Sequence, residues 1–580
     1  MQLIQNLVRP SRALTATSLG AALLMTLLLP GAASAQDQGS PMDLLPLLPE
    51  GALEAAQAID TDVLRSSVRF LASDLLGGRG PASEGDRLAR LYLATELESL
   101  GFTPGFGDSW EQPVDVVGIT SKAPETWSFE VGNDGRSVPL AFWDDYIASS
   151  GVQRESSRID DAEVVFVGYG IQAPEYDWDD FEGADLHGKV LLVLNNDPDW
   201  DPQLFEGKTR LYYGRWDYKY ESAARQGAAG AIIVHTTPSA GYPWQVVQTS
   251  WTGEQFELPA GDEPRVQVAA WTTEAATRRL LEAAGQDLDA LVEQAKRRDF
   301  RPVPLGIRTS LTLDNQITQK TTANVAGFFQ GSDPELSKQV VVYTAHHDHL
   351  GEHASEGGDA EDQIYNGALD NGAGMAQVLA VAHAYAALPE PPKRSALVLF
   401  VAGEEQGLLG SKFFALHPTV PPGRLAANIN FDGGNIWGPT KDVTLIGQGK
   451  STLDRVAEAV AASQGRTVKP DQFPDKGYYY RSDQFSLAKI GVPALYFDTG
   501  TEFVGRPEGW GAETMEAWTD VHYHQPSDEL TDEWRFDGMI EDARLGLLCG
   551  LIVSEQEEMP AWLPGDEFEA ARKEALAAVE

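Results

Sequence analysis

At 580 residues the chain is too long for one hydrophobic core and calls for about two to four domains. A hydrophobic share of 42% with 14 Trp excludes wholesale disorder. A net charge of −42 disfavours nucleic acid, whose phosphates would be repelled, and Cys549, the single cysteine, excludes an intrachain disulfide and any cysteine-cluster metal site.

Near the start, Arg9 and Arg12 precede the apolar run Ala13 to Leu29, and Ala33-Ser34-Ala35 offers a small-x-small cleavage pattern. The expectation is a Sec-type signal peptide over 1–35, a secreted or periplasmic product, and no stable membrane anchor once the segment is removed. Residues 36–140 open the mature fold. Periodicity predicts a helix over Thr61 to Leu76 and a second over Ser83 to Leu100, with Ser83 as its cap and Gly101 as its stop. Between them Gly77-Gly78-Arg79-Gly80 is read as a turn.

From about Asp161 the texture changes to short strands, Val164 to Gly170, Lys189 to Leu194 and Ala231 to His235, with an Ala/Gly-rich helix at Glu221 to Gly230. This block can bury its own core and is read as an inserted, β-rich domain over 141–309. His235 is read as a structural histidine. After Ala323 strands and helices alternate: strand Val340 to Ala345, helix Gly374 to Leu388, strand Ala396 to Ala402, helix Leu408 to Leu416, strands Ala427 to Phe431 and Val443 to Ile446, helix Leu453 to Ala462, strand Ala494 to Phe497. That alternation predicts an α/β fold over 310–560 with a mostly parallel mixed sheet covered by helices on both faces. Residues 561–580 are expected to form an acidic tail, frayed or as an exposed charged helix.

The residues that follow these strands carry the chemistry. His346 and Asp348 follow the first, Gly403-Glu404-Glu405 the second, and Asp432 the third. Asp370 lies in the glycine-rich turn Gly367-Ala368-Leu369-Asp370-Asn371-Gly372, and His524 in the late loop Tyr523-His524-Gln525-Pro526-Ser527-Asp528. Open α/β sheets bind ligands outside the carboxyl ends of their strands, and this set of nitrogen and oxygen donors suits two divalent ions.

The pattern His-x-Asp, Asp-Asn in a glycine turn, Glu-Glu, Asn-x-Asp and Tyr-His-x-Pro-Ser-Asp resembles the co-catalytic zinc peptidases typified by bacterial leucyl aminopeptidases, with glutamate carboxypeptidase, the transferrin receptor and glutaminyl cyclase as relatives. The block containing Gly168-Tyr169-Gly170 and Gly227 to Ala231 resembles the protease-associated domain that many members carry, with the substrate or a protein as its partner. The resemblance implies a zinc exopeptidase-like fold and a secreted aminopeptidase acting on peptides. Asp370 would bridge two Zn²⁺ ions, His346 and Asp432 would complete one site, and Glu405 and His524 the other. Glu404 would be the general base toward a hydroxide shared by the ions. Asp348 would orient His346, and the Asp370-Asn371 peptide is expected to be cis. His347, His349 and His353 are read as loop residues or as residues that support the ligands from behind, His522 as the alternative to His524, and Tyr480 and Asp483 as lying near the substrate. The nearest rivals are a carboxypeptidase or dipeptidase, for which Arg481 is the obvious carboxylate partner, then a glutaminyl-cyclase-like acyltransferase and a receptor-like binding protein.

Overall fold

The computed structural model describes residues 40–132, 135–352 and 362–579. The expected signal segment and His353 lie outside the described residues. Helix α1 (Thr61–Leu71) starts where the Asp60 carboxylate accepts the Val63 N–H at 3.0 Å, and it buries Leu64, Val68 and Leu71. It stops five residues short of the expected Leu76, and a short helical turn, Asp74–Arg79, follows. Gly78 in that turn has φ +65° and lies so close to the carbonyls of Gly351 and Tyr365 that a Cβ would sit 2.5 and 2.4 Å from their oxygens. Helix α2 (Glu84–Ser99) is capped by Ser83 Oγ, which accepts the Asp86 N–H at 3.1 Å, and closes at Gly101 with φ +83°.

The block expected over 141–309 holds β1 (Tyr146–Ser150), β2 (Ser156–Phe166), β3 (Val190–Leu194), helix α3 (Trp244–Ser250) and, around it, β4 (Gly230–His235) and β5 (Val268–Thr273). Parallel pairing runs β2, β3, β4, β5, and β1 closes the edge antiparallel to β5. The Ala/Gly-rich helix lies at Trp216–Arg225, earlier than expected, and its Tyr220, Ala223 and Ala224 pack with Ala231 and Ile233 of β4. His235 is buried with Nε2 3.1 Å from the Tyr242 carbonyl.

Strand β6 (Val303–Phe329) runs straight through the expected boundary at 309–310. Its alternation of buried Leu305, Ile307, Thr309, Leu311 and Leu313 with exposed neighbours continues across that point, so one 27-residue strand serves both parts. Its first half pairs with β2 and its second half with strand Glu111–Lys122. The core beneath the block also takes Trp127, Phe129 and Leu140 from before residue 141.

The site-bearing sheet is built from β7 (Val340–His346), β8 (Ser395–Val401), β9 (Leu425–Asn430), β10 (Asp442–Ile446) and β11 (Ala494–Asp498). Strand β7 lies between β8 and β9, parallel to both, while β9 pairs in parallel with β11, β11 pairs antiparallel with β10, and β8 pairs antiparallel with β6. Period-two alternation sends Val341, Tyr343, Ala345, Val398 and Phe400 to one face, under α1, α2, α4 (Gly374–Ala387) and the long helix Phe536–Glu555. It sends Val342, Leu397, Leu399 and Val401 to the other, under α5 (Leu409–Leu416) and α6 (Gln484–Lys489). The expected mostly parallel α/β sheet, helices on both faces, is therefore present. Among the described residues no helix is long and apolar enough to cross a membrane.

The acidic tail is not free. Helix Glu569–Ala577 docks through Arg572, which is 2% exposed and donates to the carbonyls of Leu425 at 2.8 Å and Pro560 at 3.0 Å. Those two acceptors satisfy a guanidinium that could not otherwise be buried.

Candidate metal centre

Three adjacent parallel strands end at one place. His346 closes β7, Glu404 and Glu405 follow β8, and Asp432 follows β9. Asp370 reaches them from the turn before α4, whose Asp370-Asn371 peptide is cis. That turn is fastened on two sides. Asp528 accepts the N–H groups of Leu369 at 2.8 Å and Asp370 at 3.0 Å, and Asn371 Oδ1 accepts the N–H groups of Gly374 and Gly433, both at 2.9 Å.

The Asp370 carboxylate is shared by two histidines. Its Oδ1 lies 3.2 Å from His346 Nε2 and its Oδ2 3.3 Å from His524 Nε2. His346 Nε2 is also 3.3 Å from Asp432 Oδ1, and His524 Nε2 is 3.0 Å from Glu405 Oε2. Glu404 stands back, its Oε2 4.0 Å from His346 Nε2, and its N–H is held at 3.0 Å by Asp348 Oδ1. Burial pushes Glu404 well above the usual carboxylate range; His346 opposes this, while Asp432, Glu405 and Asp483 add to it. Burial and Asp370 oppose ionisation of Glu405, and the facing His524 and His349 outweigh both, holding it down at about 2. Two adjacent glutamates thus face opposite electrostatic surroundings.

These side chains fit divalent cations. His524 Nε2 is buried and faces two carboxylate oxygens without a hydrogen bond to either, the way a metal ligand is aimed. Ligand atoms of His346, Asp370 and Glu405 all lie within 4.8 Å of one another. Imidazole nitrogens with carboxylate oxygens suit zinc.

Several expectations need correction. The His346 ring is oriented by the main chain of Asp348, whose carbonyl is 3.2 Å from Nδ1, while the Asp348 carboxylate is 3.8 Å away and serves Glu404. Tyr480 is not near the substrate side: it is 4% exposed in the core and donates its hydroxyl to Glu567 at 2.7 Å. In the short turn Tyr478–Tyr480 the neighbouring rings must point in different directions, and it is Tyr478 that lines the cavity. Tyr480→Phe is expected to cost about 1 kcal/mol of stability and leave kcat/KM within about twofold of wild type, checked by urea unfolding beside steady-state rates. Asp483 is fully buried beneath the centre and does not line the cavity described below; its charge acts on Glu404 through the protein.

Of the two roles open to His349, loop residue or support for a ligand, the structure gives the second: it is fully buried with Nδ1 2.6 Å from Glu405 Oε1 and so fixes that carboxylate. His347 bonds the Ala323 carbonyl at 3.0 Å, and His522 turns to Ser527 Oγ at 2.9 Å, away from the centre. Arg79, in the loop read as a turn, is wholly buried and donates to the carbonyls of His347 at 2.9 Å, Asn366 at 2.6 Å and Gly367 at 3.0 Å. It ties the loop after β7 to the turn that carries Asp370. The glycines around it are its signal, since only a permissive backbone brings the loop this close.

Beside Glu404 opens a cavity of about 180 Å³ walled by Trp437, Phe473, Tyr478, Tyr496, Met515 and Trp518, with Asp370, Asp432, Lys476 and Arg481 also on its surface. Arg481 is sandwiched between the rings of Tyr242 and Tyr478, 5.3 and 5.6 Å from their centroids. A smaller cleft, which also touches Glu404, is lined by Trp216, Tyr242 and Trp251 of the 141–309 block, together with His524.

Residues 324–545 match the profile of Peptidase family M28. The matched segment begins within β6 and ends within the helix Phe536–Glu555, so it contains the five ligand candidates His346, Asp370, Glu405, Asp432 and His524 together with Glu404. Among solved structures, an aminopeptidase from Aneurinibacillus sp. strain AM-1 is 19% identical, with 89% of this chain and 97% of that chain covered at a TM-score of 0.51, and the fold is shared. A peptidase M28 precursor from Shewanella amazonensis SB2B (19% identical, 90% and 98% covered, TM-score 0.47) and a zinc aminopeptidase from Bacillus subtilis (18%, 87% and 95%, 0.44) are also similar. Comparison with curated proteins finds no match.

Proposed function

We propose that the chain is an exported zinc-dependent exopeptidase, an aminopeptidase that removes N-terminal residues from peptides. The observation that carries this is the Asp370 carboxylate divided between His346 and His524, with Glu404 set back beside an aromatic cavity. His346, Asp370 and Asp432 would hold one ion, and Asp370, Glu405 and His524 the second. When bound, two such ions supply positive charge that polarises a peptide carbonyl and favours deprotonated water.

The remaining work falls to the chain's own side chains. Glu404, raised by burial, is suited to take a proton from the attacking water and pass it to the leaving amine. The walls Trp437, Phe473, Tyr478 and Trp518 would hold the side chain of the residue being removed and exclude water around it. The smaller cleft at Glu404 would take the following residue, which gives the 141–309 block a substrate-contacting role. The signal-like segment at 1–35 supports export to the periplasm or beyond.

A dipeptidase or carboxypeptidase reading draws on Lys476 and Arg481, two cations on the cavity surface that could grip a free carboxylate. Leucine p-nitroanilide, its N-acetylated analogue and N-acetylated peptides with a free carboxylate separate the readings. The aminopeptidase reading expects the free-amine substrate to be cleaved and the acetylated one to react at least about 100-fold more slowly. Trimming of acetylated peptides from the carboxyl end would replace it with the carboxypeptidase reading.

A further inference from the structure

The two histidines of the centre are oriented by different means. His346 Nδ1 meets a carbonyl of its own loop, Asp348, at 3.2 Å. His524 finds its partner in the 141–309 block: Ser250 Oγ, at the last residue of α3, lies 2.7 Å from His524 Nδ1. The preceding residue contributes too, since Thr249 Oγ1 donates to the His524 carbonyl at 3.1 Å. The same helix is pinned alongside by Gln245 Nε2, which donates to the Asp520 carbonyl at 2.9 Å.

These contacts fall where the local chain needs support. His524 has φ +57°, in the left-handed region that a side-chain-bearing residue enters only at a cost. Its carbonyl is bonded from two sides, by Thr249 Oγ1 and by Gln525 Nε2 at 2.7 Å. With Nε2 aimed at Asp370 and Glu405, the other ring nitrogen is left for Ser250, which sets both the ring's rotation and its tautomer.

We infer that Ser250, supported by Thr249, is a positioning residue for the metal ligand His524, so that the 141–309 block completes the site formed by Asp370, Glu405 and His524. The inference rests on the metal reading proposed above. It makes the block part of the centre, since α3 supplies the hydrogen-bond partner of His524 Nδ1.

The test uses the full chain, stripped of metal and titrated with zinc against a chromogenic chelator, for wild type, Ser250→Ala and Ser250→Thr. Ser250→Ala is expected to weaken zinc binding about 10–100-fold at one of two sites, with the Tm of the metal-free protein unchanged. Ser250→Thr keeps the hydroxyl and is expected to restore affinity to within about threefold of wild type. A Ser250→Ala protein that takes up zinc like wild type overturns the inference and leaves the metal reading standing. Equal loss in the Ala and Thr variants also overturns it, because a hydroxyl would then not be the operative group. A wild-type protein that takes up no zinc overturns the metal reading and this inference together.

Discussion

Glu404→Gln is expected to lower kcat by about 10²–10⁴-fold, the contribution usual for a positioned proton-transfer group, while metal content stays that of wild type. The geometry separates Glu404 from the ligands: its nearest oxygen is 4.0 Å from His346 Nε2, whereas Asp370 and Asp432 stand at 3.2 and 3.3 Å. Its N–H is fixed by Asp348 and its carboxyl group opens on the cavity, so the amide substitution keeps shape and removes only the proton acceptor. Metal content is read by elemental analysis and turnover on an aminoacyl p-nitroanilide. A near-normal rate would remove Glu404 from the proton-transfer role, and lost metal would recast it as a ligand.

Asp370→Ala is expected to be the most damaging change at the centre. One carboxylate faces both His346 and His524, so its loss removes a donor from each proposed site at once. Affinity for zinc should fall by more than the about 10–100-fold typical of outer-shell partners, and activity with it. Thorough chelation of the wild-type protein is expected to abolish hydrolysis of aminoacyl amides in the same way, and added zinc to restore it. Asp370→Ala protein that still binds two equivalents of zinc would contradict the shared-carboxylate arrangement; wild-type activity that survives chelation would contradict metal dependence altogether. Asp528 and Asn371, which fasten the Asp370 turn, explain how the carboxylate is kept between two histidines that come from distant parts of the chain.

The centre was readable because its residues obey a local rule. A β-branched apolar strand announces its own end, and His346, Glu404, Glu405 and Asp432 each follow such an end, while Asp370 sits in a glycine turn before a helix. The strand–helix alternation likewise dictates a parallel sheet, since parallel neighbours require crossovers. Even the long β6 is legible in principle: the alternation Leu305, Ile307, Thr309, Leu311, Leu313 crosses the expected boundary at 309–310.

What the linear order could not convey depends on contacts across the chain. Three tyrosines in succession give no sign of which one reaches the cavity, because a tight turn splays them; packing sends Tyr480 to Glu567 and leaves Tyr478 at the cavity. His349 looks like its neighbours until burial places it against Glu405. Arg79 is a turn residue until three carbonyls from two distant loops surround its guanidinium. Ser250 carries no motif, and its contact with His524 spans 274 positions. Residue type and strand period are local properties and so are written in the sequence. The direction of a side chain and the partner that satisfies a buried polar atom arise only when separate segments are packed together, and there the orientation of the centre was settled.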